Sequence, residues 1–70
     1  MEKFELDNDF IELFRLLKIL DWASSGGDAK FSIDEGEVLV NNEVELRRRR
    51  KIRVGDIIQM NDKKAEVVSA

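Results

Sequence analysis

The 70-residue chain contains no cysteine, no histidine and no proline. Without cysteine there is no disulfide framework, and without cysteine and histidine there is no soft-ligand zinc site. The absence of histidine also removes the commonest general base and the side chain that titrates nearest to physiological pH. We therefore expect no metal centre and no cofactor, and the composition is compatible with residence inside a cell.

Long apolar runs are also missing. The longest candidate, residues 10–20, is interrupted by Glu12, Arg15 and Lys18 and cannot span a bilayer, and the N-terminus lacks a signal-peptide pattern. We expect a cytoplasmic soluble protein without a membrane partner. The length predicts a single domain over residues 1–70 with modest stability, and an apolar fraction of 43% is sufficient for the chain to fold by itself.

No catalytic constellation stands out in the sequence. No nucleophile lies beside a plausible base, and neither a Walker-type nor a dinucleotide-binding fingerprint occurs. Acidic residues are plentiful, but their spacing, including that of Glu45, is the spacing expected of solvent-facing helix and strand positions. We therefore predict that the protein is not an enzyme and takes no small-molecule substrate.

Positive charge is concentrated in one short segment. Residues 1–46 contain 4 basic and 12 acidic residues, whereas residues 47–70 contain 8 basic and 3 acidic residues, so the formal charge changes from −8 to +5. The basic residues of this segment include Arg47, Arg48, Arg49, Arg50, Lys51 and Arg53. Because concentrated cations repel one another, the arrangement favours a polyanionic partner. The net charge of −3 argues weakly against nucleic acid as the partner. Screening confines the effect of each charge to roughly 8–10 Å, however, so the local basic segment can outweigh the net charge of the whole chain.

The basic run from Arg47 to Lys51 cannot form a buried strand, because alternate side chains would point into a core that cannot accept them. We expect a loop or an edge that is wet on both sides, with the cationic side chains projecting into water. Arginine offers a planar donor fork for phosphate and a flat face for unpaired bases, which favours RNA. A charged run that is merely solvated is the alternative reading.

Residues 9–20 predict an amphipathic helix. Asp9 and Glu12 have the spacing of a capping box, in which Asp9 replaces the usual serine or threonine. At 100° per residue, one apolar stripe contains Phe10, Leu13, Phe14, Leu17 and Leu20.

A second helix is predicted from Gly26 to Glu35, with Ser25 as its N-cap and Gly36 as the left-handed residue that closes it. The glycine-rich start of this helix exposes backbone N–H groups and is a candidate anion site, and Lys30 could reach the same phosphate. Plain capping and close helix packing explain the spacing equally well, and an acidic residue in the first turn would repel an anion.

The rest of the chain has the alternation of short strands. Asn41 and Asn42 tolerate the positive φ of a tight hairpin turn. The predicted strands are residues 4–6, 38–40, 43–46, 52–54, 57–60 and 65–68. The sequence therefore predicts an α+β fold in which two main helices pack on a small antiparallel sheet of about four strands.

The order of these elements, and the residues that carry it, resemble a known family. The residues are Leu16-Leu17-Lys18, Ser24 to Lys30, Ile33, Glu35 to Asn41, Arg47-Arg48, Lys51 and Val54-Gly55-Asp56. They resemble the RNA-binding domain first described in ribosomal small-subunit protein S-four, also called the alpha-L motif, and above all its short stand-alone bacterial members. The resemblance covers roughly residues 6–68.

The resemblance implies that the two helices and the adjacent loop and hairpin lie against structured RNA, such as ribosomal or transfer RNA. By position it assigns RNA contact to Lys30, Arg47, Arg48, Arg50 and Lys51, and it places Ser25 and Gly26 at the start of the second helix. This sequence departs from the family at Gly26-Gly27, where many relatives have an arginine after the serine, and at Asn42, which replaces a common turn glycine.

We therefore predict a monomeric, non-catalytic RNA-binding domain that contacts phosphates mainly through Arg47 to Lys51 and Arg53, with Lys30 as a second anchor. It should recognise shape more than sequence, because an irregular basic loop has no evident reader of base edges. One alternative is a protein-interaction module that docks the basic loop on an acidic protein, with Ile19 as an exposed apolar contact. Another is an accessory domain whose catalytic companion is a separate chain.

Overall fold

The structure, a computed structural model, describes all 70 residues, Met1–Ala70. It contains two helices, α1 (Leu13–Ile19) and α2 (Gly26–Asp34). Neither helix is long and apolar enough to cross a membrane. The strands in chain order are β1 (Glu2–Leu6), β2 (Ile11–Glu12), β3 (Val38–Val40), β4 (Glu43–Val44), β5 (Lys51–Ile52), β6 (Ile57–Met60) and β7 (Lys63–Ser69).

Five of the strands form one sheet in the order β1-β7-β6-β3-β4. Its neighbouring strands are antiparallel except for β1 and β7, which are parallel, with Phe4 opposite Val67. The predicted α+β fold of two helices with a small sheet is confirmed. The sheet has five strands instead of about four and is not wholly antiparallel, because β1 pairs with the last strand of the chain, a partner that no local pattern in residues 4–6 reveals.

The start of α1 differs from the prediction. The helix begins at Leu13, and its N-cap residue Glu12 makes no side-chain capping hydrogen bond, so the capping box predicted at Asp9 is wrong. Ile11 and Glu12 instead form β2, which pairs with β5 in a separate two-stranded antiparallel sheet. An extended backbone at these two residues excludes the helical conformation that a capping box at Asp9 requires. Because of this pairing, Ile52 belongs to the two-stranded sheet and not to the main sheet.

The start and end of α2 agree with the sequence prediction. Ser25 Oγ accepts a hydrogen bond from the backbone N–H of Asp28 at 3.1 Å, and Gly36 has a φ of 75° just beyond the helix. The hairpin turn at Asn41 and Asn42 is also confirmed, since both residues have positive φ angles, 53° and 71°. Asparagine tolerates a positive φ better than most residues, which is why the turn can be predicted from the sequence.

One hydrophobic cluster joins the two helices to the sheet. Its fully buried large side chains come from both helices and from β3, β5, β6 and β7: Leu13, Leu16, Leu17, Ile33, Val38, Val40, Ile52, Ile58 and Val67. Strands β6 and β7 alternate between buried and less buried positions, as expected when one face of a sheet packs on helices. Trp22 packs at the edge of this cluster, and its indole N–H donates to Glu2 Oε1 at 2.8 Å. Burial of this cluster is the main source of stability.

Shortening a side chain in this core is expected to destabilise the protein, whereas the same change on the surface is not. Ile58 is fully buried and Ile19 is 58% exposed. We predict that Ile58→Val lowers the free energy of unfolding by about 1 kcal/mol, because it removes a buried methyl group. The matched variant Ile19→Val should change it by less than about 0.3 kcal/mol. Urea unfolding followed by Trp22 fluorescence measures both, and equal effects at the two positions would contradict this assignment of the core.

Candidate nucleic-acid interface

Residues 45–50 connect β4 to β5, and we call this segment the basic loop. As predicted, the arginine run lies outside the main sheet. Two backbone hydrogen bonds attach the loop to the start of α1: Leu13 N–H donates to the carbonyl oxygen of Arg50 at 2.9 Å, and Phe14 N–H to that of Arg48 at 3.1 Å. These carbonyl oxygens satisfy N–H groups that a helix otherwise leaves without partners. The loop and the helix therefore hold each other in place.

The carboxylate of Glu45 organises the loop from within. It accepts hydrogen bonds from the backbone N–H of Arg47 at 2.9 Å, from Nε and Nη2 of Arg47 at 3.0 Å each, and from Nη1 of Arg50 at 2.8 Å. Glu45 is only 6% exposed, so the expectation of a solvent-facing position is wrong. Hydrogen bonds from the Arg47 side chain, with smaller contributions from Arg50 and the Arg47 backbone, lower its pKa to about 2 although burial opposes the shift.

The two remaining arginines of the run also have acidic partners. Arg48 Nε donates to Asp34 Oδ1 on α2 at 2.9 Å, and Arg49 Nη1 donates to Glu12 Oε2 at 3.3 Å. Hydrogen bonds from Arg48 lower the pKa of Asp34, and hydrogen bonds from Arg15 and then Arg49 lower that of Glu12. The four arginine side chains remain 29–73% exposed, so they do project into water, but each also has a carboxylate partner that the sequence did not predict. Glu12 and Asp34 are distant from the run in the sequence, whereas Glu45 precedes it by two residues.

Positive charge remains in excess after this pairing. Residues 47–53 contribute six cationic side chains, whereas their ion pairs involve three carboxylates, those of Glu12, Asp34 and Glu45. Five cations line an open concavity of about 630 Å³ with no hydrophobic residue, which we call the cationic cleft: Arg47, Arg49, Arg50, Lys51 and Arg53. Such a surface attracts anions and suits a chain of phosphates.

Phe14 brings Lys30 to the same region. Its ring is surrounded by three cations, with Lys30 Nζ at 4.8 Å from the ring centroid, Arg49 Cζ at 5.3 Å and Arg15 Cζ at 5.5 Å. Cations at these distances are attracted by the ring quadrupole. Lys30 on α2 therefore lies beside the basic loop, although Arg49 is far from it in the sequence.

The Phe10 ring also lies beside two cations of the cationic cleft. Lys51 Nζ lies 5.0 Å from its ring centroid and Arg53 Cζ 5.9 Å. The sequence pattern assigned Phe10 and Phe14 to an apolar helix stripe and missed their place beside these cations. No local sequence pattern reveals this contact. Lys51 and Arg53 lie about forty residues after Phe10 in the sequence, and the β2–β5 pairing brings them to its ring.

Ser25 and Gly26 lie outside the cationic cleft. The Ser25 hydroxyl accepts from the α2 backbone, and a Cβ at Gly26 would lie 3.9 Å from the Phe14 ring, so Gly26 packs on that ring. The Asp28 carboxylate, which accepts a hydrogen bond from Ser24 Oγ, lies in the first turn of the helix. This geometry fits capping and close packing. Contact of Ser25 or Gly26 with RNA stays a prediction.

Two short helices and a mostly antiparallel sheet make up a small α+β domain with a cation-lined cleft, as expected of the alpha-L motif that the sequence resembles. Comparison with known families agrees. The family model described as "S4 domain" matches residues 4–68, and the chain belongs to the S4 domain family.

Relatives of this chain include small proteins of bacteria. It is 46% identical over 55 residues to the Bacillus subtilis (strain 168) protein named "Probable ribosome maturation protein RlbA", covering 79% of this chain and 78% of that one. It is 41% identical over 59 residues to the Escherichia coli (strain K12) protein named "Putative RNA-binding protein YbcJ", covering 84% of each. The solution structure of E. coli YbcJ, whose title describes an alpha-L motif involved in RNA binding, superposes with a TM-score of 0.76 at 38% identity, covering 99% of this chain and 89% of that one.

The lowered pKa of Glu45 predicts a pH dependence of stability. Its ordinary value is 4.5 and its value in the folded protein is about 2, so the contribution of the ionised carboxylate is complete above pH 4.5 and is lost as the pH falls from there towards 2. We predict that Glu45→Gln lowers the free energy of unfolding by on the order of 2 kcal/mol at pH 7. This is less than the pKa shift alone would give, because water screens the partly exposed arginine partners. The difference from the unmodified protein should shrink as the pH is lowered.

Urea unfolding at a series of pH values measures this difference. Glu43→Gln is the matched control, because Glu43 lies on neighbouring β4 and is exposed. A difference between Glu45→Gln and the unmodified protein that stays constant from pH 7 to pH 2 would show that the ion pairs of Glu45 do not stabilise the fold.

Proposed function

We propose that this protein binds structured RNA, either ribosomal or transfer RNA, through contacts between the cationic cleft and the phosphate backbone, and that it catalyses no reaction. The observation that carries the proposal is the cleft itself, a concave surface lined by five cations and no hydrophobic residue. Phosphate contacts supply most of the affinity of such surfaces, and arginine is well suited to them because its guanidinium group can donate two parallel hydrogen bonds.

The six cationic side chains of residues 47–53, of which only that of Arg48 does not line the cleft, fall into two groups by their present partners. Arg47 and Arg50 share Glu45, while Arg48 and Arg49 pair with exposed or half-buried carboxylates. In contrast, no carboxylate lies within ion-pair distance of Lys51 or Arg53. We assign the strongest phosphate contacts to these last two residues. Lys30 provides a second anchor from α2, beside Arg49 and the Phe14 ring.

The S4 family and the names of its relatives support RNA over an acidic protein as the partner. The B. subtilis relative is named for ribosome maturation, which supports ribosomal RNA or a precursor of the ribosome as the ligand. We further propose that residues 1–70 act as one RNA-binding domain, as a monomer in the cytoplasm. Crosslinking in cells, followed by sequencing of the attached RNA, identifies the ligand, and recovery of no RNA above background would count against the proposal.

The two unpaired cations of the cleft are expected to contribute directly to RNA affinity. We predict that the double variant Lys51→Gln and Arg53→Gln weakens binding to a structured RNA at least about tenfold, because two charge-assisted phosphate contacts are lost. The slope of log K against log salt should become shallower by about 1.5. Fluorescence anisotropy with a labelled hairpin at several salt concentrations measures both quantities.

Lys63→Gln with Lys64→Gln is the matched control, because it removes the same charge from exposed positions of β7 that do not line the cleft. It should leave the salt slope unchanged. Equal effects of the two double variants would mean that binding follows net charge alone and that the cleft is not the site.

Asp34 is expected to compete with RNA for Arg48. We predict that Asp34→Asn strengthens RNA binding about two- to fivefold. In this variant Arg48 does not have to break its ion pair with Asp34 before it contacts a phosphate. Glu35→Gln changes the net charge equally at the neighbouring, exposed position and should have a smaller effect. Both are measured by the same anisotropy titration, and an equal gain for the two variants would rule out competition at Arg48.

A further inference from the structure

A second concavity adjoins the cationic cleft. It has a volume of about 570 Å³ and lies between β1, the β1–β2 connection and α1. We call it the β1–α1 groove. Its apolar lining consists of Phe4, Leu6, Phe10, Ile11 and Ile19. The partial exposure of Phe10 and Ile19, 37% and 58%, shows that this apolar surface is open to a ligand.

Phe10 connects the groove to the cleft. Its ring lines the groove, and the two cations that approach the ring, Lys51 and Arg53, line the cationic cleft. Glu12 makes a second connection, because it lines the groove and accepts a hydrogen bond from Arg49 of the cleft. A ligand bound in the cleft therefore has an apolar surface immediately beside its anionic groups.

The two concavities differ in charge. The cleft is lined by cations alone, whereas the polar lining of the groove is balanced, with Asp7 and Glu12 against Arg15 and Lys18, and also includes Asn8. A phosphate is favoured in the cleft and not in the groove. A neutral, flat heterocycle with hydrogen-bonding groups on its edge fits the groove, because it can pack its faces on apolar side chains and reach the amide of Asn8.

We propose that the β1–α1 groove holds one unpaired nucleobase of the RNA whose phosphates occupy the cationic cleft, with the base packed against Phe10. The proposal rests on the function proposed above and narrows its ligand. A continuous duplex keeps its bases stacked inside the helix and cannot fill the groove. The preferred RNA therefore contains a bulge or another unpaired nucleotide beside a paired stem. Selectivity for shape follows from this arrangement, because only an unpaired base can enter the groove.

The test compares two blunt RNA duplexes of equal nucleotide number, one fully paired and one with a single bulged nucleotide in each strand, where 2-aminopurine replaces the bulged base. We expect the unmodified protein to bind the bulged duplex about tenfold more tightly, because stacking of one base on an aromatic ring has about this effect. The fluorescence of 2-aminopurine should decrease on binding, since the base becomes stacked.

The decisive variant is Phe10→Ala, which should reduce the preference for the bulged duplex to less than about twofold and abolish the fluorescence change. Phe10→Leu keeps most of the side-chain volume without a stacking surface and should behave in the same way, so the test stands if the alanine variant does not fold. Phe10→Trp should retain the preference. Phe31→Ala is the control, because Phe31 is 62% exposed on α2 and lines neither concavity.

The outcomes separate this proposal from the function on which it rests. Equal affinity of the unmodified protein for the two duplexes, or a preference that survives both Phe10→Ala and Phe10→Leu, would overturn the nucleobase site while leaving phosphate binding in the cleft intact. Failure to bind either duplex, even at low salt, would instead overturn the proposed function itself.

Discussion

Electrostatic repulsion within the basic loop is the constraint on which the rest of this structure depends. Four consecutive guanidinium groups disfavour any single compact conformation, and a loop that samples many conformations would lose much of its ordering entropy on binding an anion. The protein offsets this repulsion with one nearly buried carboxylate. Glu45 accepts from the side chains of Arg47 and Arg50 and from the loop backbone. A negative charge thus contributes to a surface for anions by fixing the positions of its cations.

The same loop completes the helix beside it. Helix α1 has no capping side chain, and its first N–H groups bond instead to backbone carbonyl oxygens of Arg48 and Arg50. The β2–β5 pair extends this attachment by joining the residues just before the helix to those just after the loop. The cationic cleft and the β1–α1 groove therefore adjoin each other on one continuous piece of structure, and both depend on the place where α1 begins.

The sequence predicted those features whose physical cause is local. Ser25 caps α2, Gly36 closes it, and the two asparagines form a turn, because each conformation follows from the residue itself and its near neighbours. The basic run also marked the candidate interface, since charge is visible without a fold. Features that depend on distant partners were missed. The two-residue strand β2 and the position of Phe10 beside Lys51 and Arg53 arise from contacts between segments far apart in the chain.

The parallel pair of β1 with β7 has a consequence for how the protein is made. Strand β1 is synthesised before β7, its hydrogen-bonding partner, so this edge of the sheet stays open until translation has passed Ser69. A nascent or truncated chain that lacks β7 leaves two strand edges and one side of the core uncovered, and such chains are targets for chaperones and proteases. The topology thus delays completion of the main sheet until β7 has been synthesised.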